Sequence, residues 1–188
     1  MKPLSPYQLL VSAWRDCAKC ALAAGRKQVV FARGSLPARV LFVGEGPGDS
    51  EDVLGQPFVG PAGQLLDKQI AAALGDLGME APRMAWFNIV GCIPKDEDGR
   101  KRGEPWPAEI EACAPRLDRF LRICAPDLII CVGQIAGKEA KNKSWAARCQ
   151  GIAEITHPAA ILKADISQRG LMYQRAVVQL SDAFASLQ

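Results

Sequence analysis

Val40-Leu41-Phe42-Val43-Gly44-Glu45-Gly46-Pro47-Gly48-Asp49-Ser50-Glu51-Asp52 is the stretch from which the rest of the chain is read. The short apolar run reads as a buried strand, and the glycines, proline and carboxylates after it exceed what packing requires. The segment continues through Gly55-Gln56-Pro57-Phe58-Val59-Gly60 into a helix predicted to start at Pro61. In an open α/β sheet the carboxyl end of a strand is where ligands bind. Glycine there lets the main chain approach a flat or phosphate-bearing ligand closely. A dinucleotide loop is the weaker reading: the spaced glycine fingerprint is incomplete, and Pro47 removes a donor where a phosphate needs one.

Working outward, Met84–Val90 has the β-branched and aromatic content of a second strand. Asp127–Val132 is a third, buried strand, and Ile152–Thr156 a weaker fourth. Between them, Pro61–Leu74 and Pro107–Ile123 read as helices, each with proline at its first position. In the second of these, Ile110, Cys113, Leu117 and Phe120 recur at helical spacing. Leu4–Ala24 is predicted helical, with Cys17 and Cys20 towards its end, and Ile166–Leu187 is predicted to close the chain as an amphipathic helix. Strands alternating with helices predict a three-layer α/β/α fold around a central four-stranded, mainly parallel sheet. Residues 1–188 are expected to form one domain, with residues 1–25 as an N-terminal helical segment.

Composition sets further bounds. A hydrophobic fraction of 49% and a charged fraction of 23% are those of a globular chain. No apolar run approaches a membrane span, and Leu9-Leu10-Val11 is too short for a signal peptide. A cytoplasmic location, no membrane partner and a monomer are expected. The net charge of +3 does not by itself argue for nucleic acid. Basic residues do crowd two segments, Arg100-Lys101-Arg102 and Lys138–Arg148, which otherwise read as solvated surface. Seven cysteines in such a chain favour a metal or reactive role over disulfides.

The special residues gather where the strands end. The first strand runs into Gly44–Gly48, the second carries Asn88, the third precedes Gly133-Gln134 and the fourth precedes His157-Pro158. In a parallel sheet these ends share one edge, so the groups converge. Singly, Asn88 reads as a satisfied polar residue, His157 as a helix cap and Phe58 as core. Together they describe a site.

These motifs resemble the family 4 uracil-DNA glycosylases. The likeness rests on Gly44-Glu45-Gly46-Pro47-Gly48 with Glu51-Asp52, then Gly55-x-Pro57-Phe58-Val59-Gly60 with Ala62-Gly63. It continues with Asn88-Ile89-Val90-x-Cys92-x-Pro94, Glu109-Ile110-x-x-Cys113 and His157-Pro158-Ala159-Ala160-Ile161-Leu162. Ile93, where the family pattern has an arginine, departs from it, as do the charged loop 95–107 and the short stretch between Gly133 and His157.

The resemblance implies a monofunctional DNA repair enzyme that flips uracil from single- or double-stranded DNA and hydrolyses its N-glycosidic bond. Phe58 would stack on the base, and Asn88 would hydrogen-bond its O4 and N3 edge. His157 would donate to O2 as negative charge develops. The main chain of Gly44, Glu45 and Gly46 would hold the other side of the base, and Asn88, His157 and Glu45 are the catalytic expectations. Gly46 offers no side chain to activate water, and no general base is assigned. Ala160, Ile161 and Leu162 would fill the gap left in the duplex.

The same resemblance makes Cys17, Cys20, Cys92 and Cys113 ligands of a [4Fe–4S] cluster that pins the N-terminal segment to the sheet. Spacing alone fits zinc equally well. Cys124 competes with Cys113 but lacks the Glu-Ile match, and Cys131 reads as a small core residue. Two other readings stand beside uracil excision: the same fold excising another deaminated or modified base, and a non-catalytic iron–sulfur module that binds DNA.

Overall fold

The computed structural model describes residues 3–96, 98–143 and 145–187. Positions 1, 2, 97, 144 and 188 lie outside the described residues; they fall in the N-terminal segment, the 95–107 loop, the 138–148 stretch and the last position. In chain order the strands are β1 (Arg33–Gly34), β2 (Val40–Gly44), β3 (Met84–Asn88), β4 (Leu128–Val132) and β5 (Gly151–Ile155). The helices are α1 (Pro6–Trp14), α2 (Leu22–Gly25), α3 (Asp49–Leu54), α4 (Pro61–Asp76), α5 (Pro107–Cys124), α6 (Gln134–Asn142), α7 (Pro158–Lys163) and α8 (Ile166–Ala185). A short 3₁₀ turn, Trp145–Arg148, precedes β5.

The sheet order is β1-β3-β2-β4-β5. β3, β2, β4 and β5 run parallel, as expected, whereas β1 pairs antiparallel with β3. The sheet therefore has five strands rather than four. The added strand is two residues long and includes a glycine, so it carries no apolar run that marks it in sequence.

Alternation in β2 builds both layers of core. Leu41 and Val43 face a cluster with Leu10, Trp14, Phe87, Leu117, Phe120 and Ile129, beneath α1, α5 and α6. Val40 and Phe42 face the opposite cluster with Leu66, Ile70, Trp86, Val177, Leu180 and Phe184, beneath α4 and α8. A strand buried on both faces must be apolar throughout, which is why β2 and β4 read as unbroken hydrophobic runs.

The topology also places the site. From β2 the chain crosses to β3 through α4, then returns past β2 to β4 through α5 on the other face. The strand order thus reverses around β2, and a crevice opens at the carboxyl ends there.

The N-terminal helix is shorter than predicted. α1 stops at Trp14, and Cys17 and Cys20 lie in the turn before α2. No glycine or proline interrupts residues 15–24; the break follows from packing, with Leu10 and Trp14 buried under the sheet and both cysteines turned towards the same core.

Candidate functional site

Gly44 and Asn88 are register partners at the ends of β2 and β3. A Cβ on Gly44 would lie 2.5 Å from Phe58 Cζ and 2.6 Å from Asn88 Oδ1, so these groups meet over bare main chain. Asn88 is buried, and its main-chain carbonyl accepts from Arg116 at 2.6 Å. Hydrogen bonds among the described residues leave its side-chain amide free. The amide borders a cleft of about 750 Å³ that Glu45, Gly46, Phe58, His157 and Ala160 also line.

Phe58 takes a left-handed conformation at φ 56°, which for a residue with a side chain costs on the order of 1–3 kcal/mol. Glu51 holds it there. Its buried carboxylate accepts from Val59 N at 2.9 Å and Gly60 N at 2.7 Å, on the residues following Phe58, and from Gly48 N at 3.0 Å. One side chain thus ties the glycine loop to the segment that presents the ring. Asp52, also buried, accepts from Lys27 N at 2.9 Å and approaches Lys95 Nζ at 3.8 Å.

His157 caps α7: its Nδ1 accepts from Ala159 N at 3.1 Å. The cap fixes the tautomer, leaving Nε2 to carry the proton of the neutral ring. Burial holds the imidazole below its usual pKa, and the Lys163 ammonium adds to that effect. Gly133, at φ 92°, packs against it; a Cβ there would lie 3.0 Å from His157 Cβ. The helix-cap and binding readings of this histidine are therefore compatible.

Glu45 carries more than its main chain. Burial, with Glu104 next and Lys163 opposing, pushes its carboxyl up to about 7. Its carbonyl accepts from Val90 N at 3.0 Å, extending the β2–β3 pairing past the strand ends. Glu104, Lys101 and Lys163 border the cleft as well, a charged rim that the loop 95–107 and α7 supply.

Ile161 does not fit the role expected of it. It is buried at 3% exposure, because the six-residue α7 turns Pro158 and Ile161 inward together. Ala160 and Leu162 are exposed.

The cysteines fall into two groups. Cys92 lies in the apolar core below α5, and Cys17, Cys20 and Cys113 pack against the same cluster. Burial pushes the Cys92 thiol up to about 11 and raises Cys20, and in both the nearby Cys113 adds to the rise. Arg26 donates to Cys92 Sγ at 3.5 Å, and Arg116 to Cys113 Sγ at 3.3 Å. Cys124 and Cys131 are fully buried elsewhere in this core, and Cys124 shows no influence from the other thiols. All seven are free. Among the described residues no three His, Cys, Asp or Glu side chains are arranged to hold a metal ion.

Sequence reasoning missed Arg116, which is completely buried. It falls one turn after Cys113, on the stripe that continues through Leu117 and Phe120, but a charged side chain there reads as helix surface.

An open sheet whose strand ends bring an aromatic ring, a free amide and a neutral imidazole into one cleft is built to take a planar, hydrogen-bonding ring. The family model described as the uracil DNA glycosylase superfamily matches residues 31–181, and the chain belongs to that superfamily. Curated relatives that it resembles include type-4 uracil-DNA glycosylases. The chain is 32% identical over 166 residues to that of Archaeoglobus fulgidus, covering 78% of each. It is 36% identical over 167 residues to that of Pyrobaculum aerophilum, covering 79% of this chain and 81% of the relative. Among solved structures, SMUG2 of Pedobacter heparinus aligns with 80% of this chain and 76% of its own at a TM-score of 0.53. At 15% identity that match speaks for the fold alone.

Proposed function

We propose that this chain excises uracil from DNA by hydrolysing its N-glycosidic bond, leaving an abasic site. The observation that carries the proposal is the meeting of Phe58, Asn88 and bare Gly44 at one point of the cleft. Phe58 stacks on the flipped base, and its strained main chain keeps the ring over the gap that Gly44 leaves. The Asn88 amide offers one acceptor to N3–H and one donor to O4. A base with donor and acceptor exchanged leaves buried polar groups unpaired, which is how such a site discriminates.

Bond cleavage puts negative charge on uracil and positive charge on the sugar. His157 Nε2–H donates to O2 as that charge develops, a contact stronger in the transition state than in the ground state. The Glu45 carboxylate supplies the opposite charge for the cationic sugar. Lys101 and Lys163 on the rim attract the phosphate backbone. Ala160 and Leu162, without Ile161, enter the gap in a duplex.

Cys17, Cys20, Cys92 and Cys113 hold a [4Fe–4S] cluster. Their mutual proximity on one apolar face, with two guanidinium groups donating to sulfur, supports that donor set. The cluster staples residues 1–25 to the sheet, and one domain carries the whole site.

The test is release of free base from oligonucleotides carrying uracil, hypoxanthine or xanthine. Uracil alone, or uracil in large excess, is expected. Release of another base without uracil would assign the pocket to a different lesion. Tight binding of uracil-DNA with no free base would make the protein a binding module.

A further inference from the structure

A completely buried arginine needs an explanation, because its guanidinium cannot shed its proton and a buried charge is costly unless compensated. Arg116 sits on α5 one turn beyond Cys113, and among the described residues no carboxylate pairs with it. Each of its three nitrogens finds a partner. Nε reaches Cys113 Sγ at 3.3 Å, and one terminal nitrogen reaches Val30 O at 3.3 Å. The other reaches Asn88 O at 2.6 Å and Ile89 O at 3.3 Å. The guanidinium lies over the Phe87 ring at 4.2 Å, and the absent side chain of Gly91 makes its space, since a Cβ there would be 3.0 Å from Arg116 Cζ.

Two features make this more than a structural filler. Cys113 is the only side chain to which Arg116 hydrogen-bonds among the described residues, and a thiolate there holding iron would supply the negative charge that carbonyl dipoles cannot fully provide. Charge-assisted bonds are shorter and stronger than neutral ones. At its other end the same rigid fork grips the carbonyl of the residue whose amide faces the cleft. Partners that bond to a metal ligand orient it and are in turn oriented by it.

We infer that Arg116 is a positioning residue that couples the cysteine centre to the base pocket: anchored on Cys113, it fixes the main chain of Asn88 and so the place of the amide that reads the base. The inference rests on the function proposed above. Coupling between two sites is reciprocal, so occupation of the base pocket must also be felt at the cluster.

The experiment compares iron-loaded wild type with Arg116→Lys, which keeps the charge and loses the planar fork. The variant is expected to bind uracil-free DNA as wild type does, and to lose about tenfold in kcat/KM on single-uracil DNA, chiefly in kcat. In wild type the cluster's reduction potential is expected to differ between uracil-containing and uracil-free DNA of otherwise identical sequence; in Arg116→Lys that difference is expected to vanish. Wild-type kcat/KM together with an undiminished difference in the variant would overturn the coupling. If the variant fails to fold, the wild-type potentials decide alone, and equal values on the two DNAs overturn it. Wild type that carries no iron or releases no uracil would overturn the functional reading, and the coupling with it.

Discussion

Gly44 and Asn88 stand side by side in the sheet, and the missing side chain of one is the space in which the amide of the other works. A methyl group at position 44 would lie 2.6 Å from Asn88 Oδ1 and 2.5 Å from Phe58 Cζ. Gly44→Ala is therefore expected to displace the ring and the amide while the sheet, held by its main-chain ladder, survives. Misplacement near 1 Å can cost about 10²-fold in rate. A loss of that order in kcat/KM, with an unchanged circular dichroism spectrum, is the expected result.

Glu51 satisfies three main-chain N–H groups at once, two of them immediately after the strained Phe58. Orphaning such donors costs on the order of 1 kcal/mol or more each. Glu51→Ala is expected to lose about 3 kcal/mol in chemical denaturation and to weaken base stacking, whereas Glu51→Gln, which retains one acceptor oxygen, is expected to lose less.

Burial sets two opposed pH dependences. Glu45 has a folded pKa of about 7, raised by burial and by Glu104 against the pull of Lys163. Its contribution to stability is fully present below the unfolded carboxyl value and is lost as pH rises through about 7. His157 is the reverse: its folded pKa is lowered, so stability is present above the unfolded imidazole value and is lost as pH falls through the folded one. Glu45→Gln is expected to melt higher than wild type at pH 8 and equally near pH 4. Its excision rate is expected to lack the rise through pH 7 that the wild-type carboxylate confers. Melting curves and single-turnover rates across this range check both.

In α7, Ile161 belongs to the core and Leu162 to the surface. Ile161→Ala is expected to cost about 2–5 kcal/mol of stability and to leave the ratio of duplex to single-strand excision unchanged. Leu162→Ala is expected to keep stability and to slow excision from duplex more than from single strands. Paired denaturation and strand-preference assays separate the two.

Cys17→Ser is expected to lower iron and labile sulfide content together with the melting temperature. Cys124→Ser, far from the other thiols in influence, is expected to retain both iron and the visible absorption. Equal loss in the two variants would remove Cys17 from the ligand set.

The sequence was most legible where burial dictates composition. β2 and β4 announce themselves because both faces are covered, and the punctuation after each strand marks the edge where Asn88, His157 and the glycine loop meet. Four features stayed hidden. β1 is held by its neighbour rather than by any pattern of its own. Ile161 looked like part of an exposed apolar run because a helix of six residues is too short to show its period. Arg116 looked like any helix-surface arginine, since its burial depends on a sulfur, three carbonyls and a ring from three separate segments. Glu45 was read through its main chain alone, because the rise in its carboxyl pKa comes from burial and from Glu104, distant in sequence.

The most direct test of the account is single-turnover cleavage of one oligonucleotide carrying a single uracil, by wild type and by Asn88→Ala. Alkali-sensitive breakage at the uracil by wild type, slowed on the order of 10²–10³-fold in the variant, is the expected result. Equal turnover by the two proteins, or none by folded, iron-loaded wild type, would contradict the site assigned to this cleft.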